Sequence, residues 1–362
     1  MPGKTQRSSN LELLRILCML LIIGDHLTGQ GGIADYTTLP SSFAFCLIGC
    51  GSRIACSVFI LIGGWFLCEQ PYKTRRPLSL WLSLWLYTVP VTLLCRLAGL
   101  DVSFGALRWA AFPASTRQLW FISDYLLLLL CVPLLNRVLR GLPRTAHRGL
   151  LAVLAVPMVL YPTLFGENGI VSDTAWMFLY EYLLIAYLRR YPDNRLTRLL
   201  QRRCAALLLG LGLPLVNTAV RAVLEMRGLT DGKAFQYIAY YRTALGALPN
   251  LLAALALFYL FKGLSLGSVR WINALSGTTL GVYILHQIPA FRGFLWNGVL
   301  QAQAHHGSVG YTLFAVAAVF LGCAAVDAAR TALVMRPLEK TRLFRTLCEK
   351  GDALAAKITA DD

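Results

Sequence analysis

The stretch Asn10–Leu27, NLELLRILCMLLIIGDHL, decides how the rest of the chain is interpreted. It is apolar enough to cross a membrane as a helix, yet it carries Arg15, Asp25 and His26. Eleven residues make about three helical turns, so Arg15 and His26 share a face about 16 Å apart along the axis. Charged groups at membrane depth are costly and commonly mark function. The alternative is structural, with Arg15 extending to the inner surface and His26 ending the helix at the outer boundary.

Composition places the chain among membrane proteins. Of its 362 residues, 57% are hydrophobic and 14% are charged, and the mean hydropathy is +0.58. Soluble domains carry about 25% charged residues. The apolar runs are about 20 residues long, which is the length that crosses about 30 Å of hydrocarbon. Alternating segments typical of a membrane barrel are absent from the sequence, so we predict an all-α, polytopic integral membrane protein.

The apolar runs predict about ten transmembrane helices. No loop between them is long enough for a soluble domain, so any active site is expected among the helices. We assign residues 1–335 to this membrane domain and residues 336–362 to a basic cytoplasmic C-terminal tail. The predicted spans are 10–28, 45–68, 79–98, 119–137, 149–165, 174–188, 204–224, 243–261, 274–295 and 310–330.

The net charge of +16 is distributed as membrane topology requires, in short clusters between apolar runs. With the N-terminus inside, 23 of the 34 Lys and Arg residues fall in cytoplasmic segments, including Lys4 and Arg7. Only five fall in outer loops: Arg108, Arg117, Arg227, Lys233 and Arg242. The positive-inside rule therefore predicts that both termini are cytoplasmic, in a multi-pass protein of the plasma or inner membrane. This distribution also argues against nucleic acid as a partner.

No motif for a metal or a covalent nucleophile is present. The ten Cys lack zinc-like spacing with His, and the sequence has no HExxH, GxSxG or Ser-x-x-Lys motif. A histidine in a polar cavity is a plausible general base, because its ordinary pKa lies near neutral pH. Asp25 points about 100° away from His26 on a helix, so we expect another helix to orient that imidazole. The residues present favour an enzyme in which a histidine deprotonates the acceptor and a group passes to it directly, without a covalent intermediate, a metal or a bound cofactor.

Several further polar residues fall at membrane depth. Each has a structural alternative, as a buried paired charge or as a group at a helix end. Their number favours a polar cavity within the bundle, because lipid would not tolerate unpaired charges. The set comprises Arg53, Asp124, Glu181, Arg221, His286 and Asp327.

Aromatic residues accompany these polar groups. Trp120, Tyr125 and Tyr283 lie in segments that also carry polar residues. Aromatic residues at span ends commonly form interfacial belts, so for Trp120 and Tyr283 a belt and the lining of a sugar or acyl site both remain open. Lys73, Arg75 and Arg76 form a basic cluster that either sets topology or gathers an anionic ligand.

Five segments in this order resemble membrane-bound acyltransferase family 3, whose members acylate cell-surface glycans. Arg15 and His26 match the family's Arg-x10-His signature, and nearly the whole chain takes part in the likeness. The second span reads Gly63-Gly64-Trp65 where many relatives have Ser-Gly followed by an aromatic residue. The segments are NLELLRILCMLLIIGDH (10–26), SVFILIGGWFL (57–67), LWFISDYLLLLLCVPLLN (119–136), FLYEYLLIAYLRRY (178–191) and INALSGTTLGVYILHQIPAFRGFLW (272–296).

The resemblance implies a ten-helix domain, an acyl-CoA donor (usually acetyl-CoA) and a sugar hydroxyl as acceptor. It implies catalytic roles for His26 and Arg15. We expect His26 to deprotonate the acceptor hydroxyl and Arg15 to engage CoA phosphate or developing negative charge. Donor or acceptor binding is expected from six further residues, of which His286 and Tyr283 are also candidates to orient His26: Asp25, Arg53, Trp120, Tyr125, Tyr283 and His286.

Two other functions are compatible with the sequence. A transporter or flippase of a surface-polysaccharide precursor would line its path with the same buried charges and would need no acyl-CoA. A structural scaffold in a glycan-synthesis complex would need neither Arg15 nor His26.

Overall fold

The fold was examined in a computed structural model, which describes residues 9–166 and 174–360, with the backbone alone for residues 240, 242 and 243. Lys4, Arg7 and the Arg242 side chain lie outside the described residues. Over the described ranges the chain is helical and has no β-strand, so the predicted all-α fold is confirmed. The helices are α1 (Asn10–Gly31), α2 (Leu39–Leu67), α3 (Arg75–Leu97), α4 (Phe104–Ala111), α5 (Trp120–Gly141), α6 (Arg144–Phe165), α7 (Thr174–Arg190), α8 (Arg195–Leu200), α9 (Arg203–Met226), α10 (Lys233–Thr243), α11 (Leu248–Lys262), α12 (Arg270–Ser276), α13 (Thr279–Gln287), α14 (Pro289–Gly293), α15 (Val309–Glu339) and α16 (Arg342–Thr359).

Six of the described helices are long and apolar enough to cross a membrane: α2, α3, α5, α6, α9 and α15. The protein is therefore a multi-pass membrane protein. Helices α1, α7, α11 and the pair α12–α13 coincide with the other four predicted spans. The count of ten spans stays a prediction, and so does the domain boundary at residue 335, which falls inside α15.

The ninth predicted span is not one continuous helix. Helix α12 ends at Ser276, and α13 begins at Thr279 after a turn in which Thr278 Oγ1 donates to Leu275 O at 2.7 Å. Helix α13 ends at Gln287 because Pro289 forces the preceding residue Ile288 out of helical geometry, at ψ 121°. The short α13 is therefore held at both ends by breaks in the chain.

Helix α2 is the centre of the bundle. In the most apolar 18-residue window of α2, 72% of the residues are buried, whereas the corresponding share is 22–44% in the other five long apolar helices. It packs against α1, α7, α9 and α11. The outer helices expose leucines such as Leu94 on α3 and Leu208 on α9, as expected for surfaces that face lipid.

The bundle has an end formed by the loops 68–74, 191–194 and 263–269, which we call the basic end because the helix ends beside these loops carry Arg75, Arg190, Arg195, Lys262 and Arg270. There the start of α1 is fixed to the 263–269 loop: Ser9 N donates to Gly267 O at 2.8 Å, and Val269 N donates to Ser9 Oγ at 2.7 Å. Arg144 pairs with Asp193 at 2.7 Å beside the second loop. At the opposite end Gly307 N donates to Ile33 O at 2.8 Å. Helix α1 thus spans the bundle from the basic end to the opposite end.

Candidate active site

Two histidines from distant parts of the chain meet inside the bundle. His26 on α1 and His286 on α13 are joined by a hydrogen bond of 2.9 Å between Nδ1 of His26 and Nε2 of His286. His286 is fully buried, and His26 is half-buried. The orienting partner of His26 is thus a histidine on another helix rather than the adjacent Asp25.

The proton positions on this pair follow from one backbone carbonyl. Nδ1 of His286 lies 2.5 Å from Val282 O. A carbonyl only accepts, so His286 Nδ1 carries the proton, and Nε2 of the neutral ring is left as an acceptor. His26 Nδ1 must then donate to it. In the neutral pair, His26 Nε2 therefore presents its lone pair away from His286.

Tyr283 borders both imidazoles. Its ring centroid lies 6.2 Å from that of His26 and 6.0 Å from that of His286, and Phe121 on α5 lies 5.8 Å away on another side. Tyr283 also lines the cavity described below. It is thus the residue through which the histidine pair and the cavity are in contact.

A second polar cluster holds α13 in place. Buried Asp327 on α15 accepts from Tyr87 Oη at 2.7 Å and from Arg330 Nη2 at 2.9 Å. The Asp327 carboxylate lies against Gly281 on α13, where a Cβ would collide with it. Only glycine allows this approach, and α13 carries both Tyr283 and His286 beyond that point.

A cavity of about 420 Å³ runs among α1, α2, α3, α5 and α13. Arg15 and Arg76 line its polar part, and Tyr283 lines the part nearest the histidines. Tyr125 and Gly63 face each other in its wall, where a Cβ on Gly63 would come within 2.9 Å of Tyr125 Oη. The cavity therefore connects the surroundings of Arg15 to those of His26, which the sequence placed three turns apart on α1.

Arg15 has an acidic neighbour on its own helix. Its Nη1 atom lies 3.0 Å from Glu12 Oε2 and 3.1 Å from Oε1, one turn earlier on α1. Glu12 also accepts a hydrogen bond from Ser276 Oγ on α12. Within the described residues the other nitrogens of Arg15 make no hydrogen bond, and the side chain remains 22% exposed. The guanidinium is thus anchored on one side and turned to the cavity on the other.

Three of the predicted site residues, Asp25, Arg53 and Trp120, lie outside this cavity. The Arg53 guanidinium lies 5.8 Å from the centroid of the Trp120 ring, and Trp120 contacts Phe121 at 5.8 Å. Asp25 and Arg53 are both within electrostatic reach of Cys56. None of Asp25, Arg53 and Trp120 lines the cavity, whereas Arg15, Tyr125 and Tyr283 do.

Two amides beside the histidine pair escaped the sequence analysis. Gln30, one turn beyond His26, and Gln287, next to His286, exchange two side-chain hydrogen bonds of 3.1 Å. Buried Trp296 donates its indole N–H to Gln30 Oε1 at 3.2 Å. Gln30 is exposed at the opposite end of the bundle. These groups are uncharged, so a search for charges at membrane depth passes over them.

Glu12 was also missed, although its spacing of three residues before Arg15 is a typical signal for a helical ion pair. Within residues 9–166 and 174–360, no three His, Cys, Asp or Glu side chains form a group that could hold a metal ion.

Fold and site together define a multi-pass helical membrane protein with a histidine pair beside an internal cavity. The chain matches the family model Acyl_transf_3, the acyltransferase domain, over residues 8–328. It belongs to this acyltransferase family, which confirms the resemblance seen in the sequence, and it is a membrane acyltransferase. Comparison with curated proteins and with solved structures gave no match to the chain.

Proposed function

We propose that the protein transfers an acyl group, most simply acetyl, from acyl-CoA to a hydroxyl of a cell-surface glycan or its lipid-linked precursor, with His26 as the general base. One observation carries the proposal. The hydrogen-bonded series Val282–His286–His26 leaves His26 Nε2 unprotonated beside Tyr283, which lines the cavity that reaches Arg15.

The reaction balances with His26 as the only proton carrier. The acceptor oxygen attacks the thioester carbonyl carbon while its proton moves to His26 Nε2. The tetrahedral intermediate then collapses, the carbon–sulfur bond breaks, and the leaving thiolate takes the proton from His26. The products are the O-acyl ester and the free thiol of CoA. General-base assistance of this kind contributes about 10²–10⁴ in rate.

His286 acts in this scheme as a positioning residue. It holds His26 in one tautomer, as a carboxylate does for the histidine of a hydrolase triad. A neutral imidazole avoids the cost of a fixed anion at membrane depth. His286 Nε2 still accepts the hydrogen bond from the Nδ1–H of His26 when His26 becomes cationic, so this hydrogen bond persists through the reaction.

The donor enters, in this proposal, from the basic end. The positive-inside rule makes that end cytoplasmic, where acyl-CoA is found. The cavity has a mostly apolar lining, which suits a pantetheine arm with its thioester directed toward His26. Arg15 and Arg76 offer guanidinium groups for the anionic part of the donor, since the guanidinium fork matches phosphate.

The acceptor approaches, in this proposal, from the opposite end. Exposed Gln30 lies one helical turn beyond His26. Its Oε1 already accepts from Gln287 and Trp296, so Gln30 Nε2 has one N–H left to donate to a sugar hydroxyl. Arg53 and Trp120 form a second polar and aromatic surface, which lies outside the cavity. Lipid-linked sugars would bring the hydroxyl to this surface along the membrane.

The test uses purified protein in nanodiscs, acetyl-CoA and candidate glycans, with release of free CoA thiol and acylated glycan both measured. His26→Gln is expected to lower turnover by about 10²–10⁴. The matched control is His147→Gln, because buried His147 on α6 bonds Leu183 O at 3.1 Å and lies outside the cavity. Full turnover in His26→Gln would refute the proposal. Glycan movement across the bilayer without acyl-CoA would favour the transporter instead.

A further inference from the structure

The segment beyond the family match is docked onto the basic end of the bundle. The match ends at residue 328, whereas α15 continues to Glu339 and α16 follows. Asp352 on α16 accepts from the backbone N–H of Thr74 at 2.6 Å. Glu339 accepts from Arg75 Nη2 at 2.6 Å and from Ser79 Oγ at 2.7 Å. Three hydrogen bonds thus hold this segment against the start of α3.

The contact is close enough to constrain the sequence of α16. A Cβ on Gly351 would lie 2.5 Å from Thr74 Oγ1. Phe344 is the buried apolar anchor of the same helix. The segment is therefore packed, and the groove beside it has a defined shape.

That groove, which we call the C-terminal cleft, has a volume of about 610 Å³ and is rich in cations. Of its carboxylates, Glu339 is engaged by Arg75 and Ser79, and Asp352 is engaged by Thr74. Among the described residues, no ion pair is formed by its four other cations, and Glu349 is the one carboxylate left to offset them. The four cations are Lys73, Arg336, Lys340 and Arg345.

The C-terminal cleft adjoins the internal cavity of about 420 Å³, which we call the donor cavity because the proposed function places acyl-CoA in it. Ser79 lines the cavity and donates to Glu339, which lines the cleft. Arg75 lines the cleft, while the next residue, Arg76, lines the cavity. A ligand with a polyanionic head and a long thin arm would fill both spaces at once.

We infer that the C-terminal cleft binds the phosphorylated nucleotide end of the acyl-CoA donor while the pantetheine arm occupies the cavity. The inference rests on the proposed function. In this inference Lys340 and Arg345 contribute to the affinity for the donor and take no part in the reaction, because they line the cleft and not the cavity beside the histidine pair. Several cations around a group of phosphates bind it through charge-assisted hydrogen bonds, and salt weakens this attraction by screening.

The experiment compares the double variant Lys340→Ala/Arg345→Ala with the double variant Arg342→Ala/Lys357→Ala. The second pair removes the same charge from α16 at exposed positions that do not line the cleft. The cleft variant is expected to raise KM for acetyl-CoA about tenfold and to change kcat less than twofold. The preference for acetyl-CoA over 3′-dephospho-acetyl-CoA is expected to shrink with it.

A binding measurement separates this inference from the proposed function. Adenosine 3′,5′-bisphosphate is titrated into each protein in phosphatidylcholine nanodiscs, with no acceptor present. The expected result is weaker binding in the cleft variant alone. Equal binding to wild type and cleft variant would overturn the inference even if the wild type turns over acetyl-CoA. A wild type that binds the bisphosphate through the cleft without acyl transfer would instead refute the proposed function and leave the cleft as a site for nucleotide phosphates alone.

The same anion chemistry is offered by lipid headgroups, so the titration is repeated in nanodiscs containing phosphatidylglycerol. If the cleft belongs to the donor, the bisphosphate affinity changes little with lipid composition and retains its dependence on Lys340 and Arg345. Loss of bisphosphate binding in phosphatidylglycerol nanodiscs would assign the cleft to lipid headgroups and overturn the inference.

Discussion

The Nδ1 atom of His26 and the Nε2 atom of His286 lie 2.9 Å apart, although 260 positions separate the two residues in the sequence. The Val282 carbonyl fixes the protons of this pair. The ring nitrogen of the pair that keeps a free lone pair is therefore Nε2 of His26. The arrangement needs no carboxylate, which suits a site inside a membrane.

We expect substitution of His286 to lower kcat less than substitution of His26. His286→Ala removes the orienting acceptor but leaves the base, so we expect kcat to fall about 10–100-fold, less than in His26→Gln. KM for acetyl-CoA should stay within about twofold because His286 does not line the donor cavity. Steady-state kinetics in nanodiscs measures both constants. An unchanged kcat in His286→Ala would show that His26 needs no partner.

A second prediction concerns Gly63 in the cavity wall. Gly63→Ala would place a methyl group against Tyr125 Oη, so we expect a higher KM for acetyl-CoA, by about 5–20-fold, with the fold retained. The double variant Gly63→Ala/Tyr125→Phe removes the clashing hydroxyl and should recover most of the affinity. Gly212→Ala on α9 has open space around it and serves as the control. Absence of recovery in the double variant would contradict steric contact as the cause.

The third prediction uses Gly281, which gives the Asp327 carboxylate room beside α13. Gly281→Ala should push α13 away from α15, lower the free energy of unfolding by about 1–3 kcal/mol and reduce turnover. Thermal unfolding and turnover are measured together. Gly322→Ala on α15 has nothing near its new methyl group and should behave as wild type. A fully active Gly281→Ala protein would mean that the position of α13 is not critical to the histidine pair.

Gln30 supplies the fourth prediction. Gln30→Ala removes an exposed amide one turn beyond His26 while leaving the donor cavity intact. We expect KM for the glycan acceptor to rise about 3–10-fold, because one hydrogen bond to the acceptor is lost, with no change in KM for acetyl-CoA. Gln303→Ala, an exposed glutamine near the same end of the bundle, is the matched control. An equal effect on both substrates would place Gln30 outside the acceptor path.

The sequence predicted the helical fold because lipid leaves the backbone few alternatives, and apolar length then marks the helices. It singled out Arg15 and His26 because charges on one apolar helix are rare. It named His286 and Tyr283 as candidates to orient His26 but could not decide between them; the hydrogen bond is made by His286. Helical periodicity gives the face on which a side chain lies, but not which helix packs against that face.

Other features were invisible for different physical reasons. The break between α12 and α13 depends on a turn at Thr278 that apolar composition does not reveal. The docking of α16 depends on two carboxylates, Glu339 and Asp352, that look like ordinary members of a charged tail. Its apolar face has a helical period in Leu343, Leu347, Leu354 and Ile358, which was a usable signal that the segment is a helix.

The wide separation of the two histidines has a consequence for how the protein is made. Helix α1 leaves the ribosome before α13, and the histidine that completes the site follows 260 residues later, roughly 10–50 s at 5–20 residues per second. During that interval the nascent chain holds His26 without its partner. Under the proposed mechanism, a chain interrupted before α13 lacks the residue that orients His26, so we expect it to lose at least as much turnover as His286→Ala.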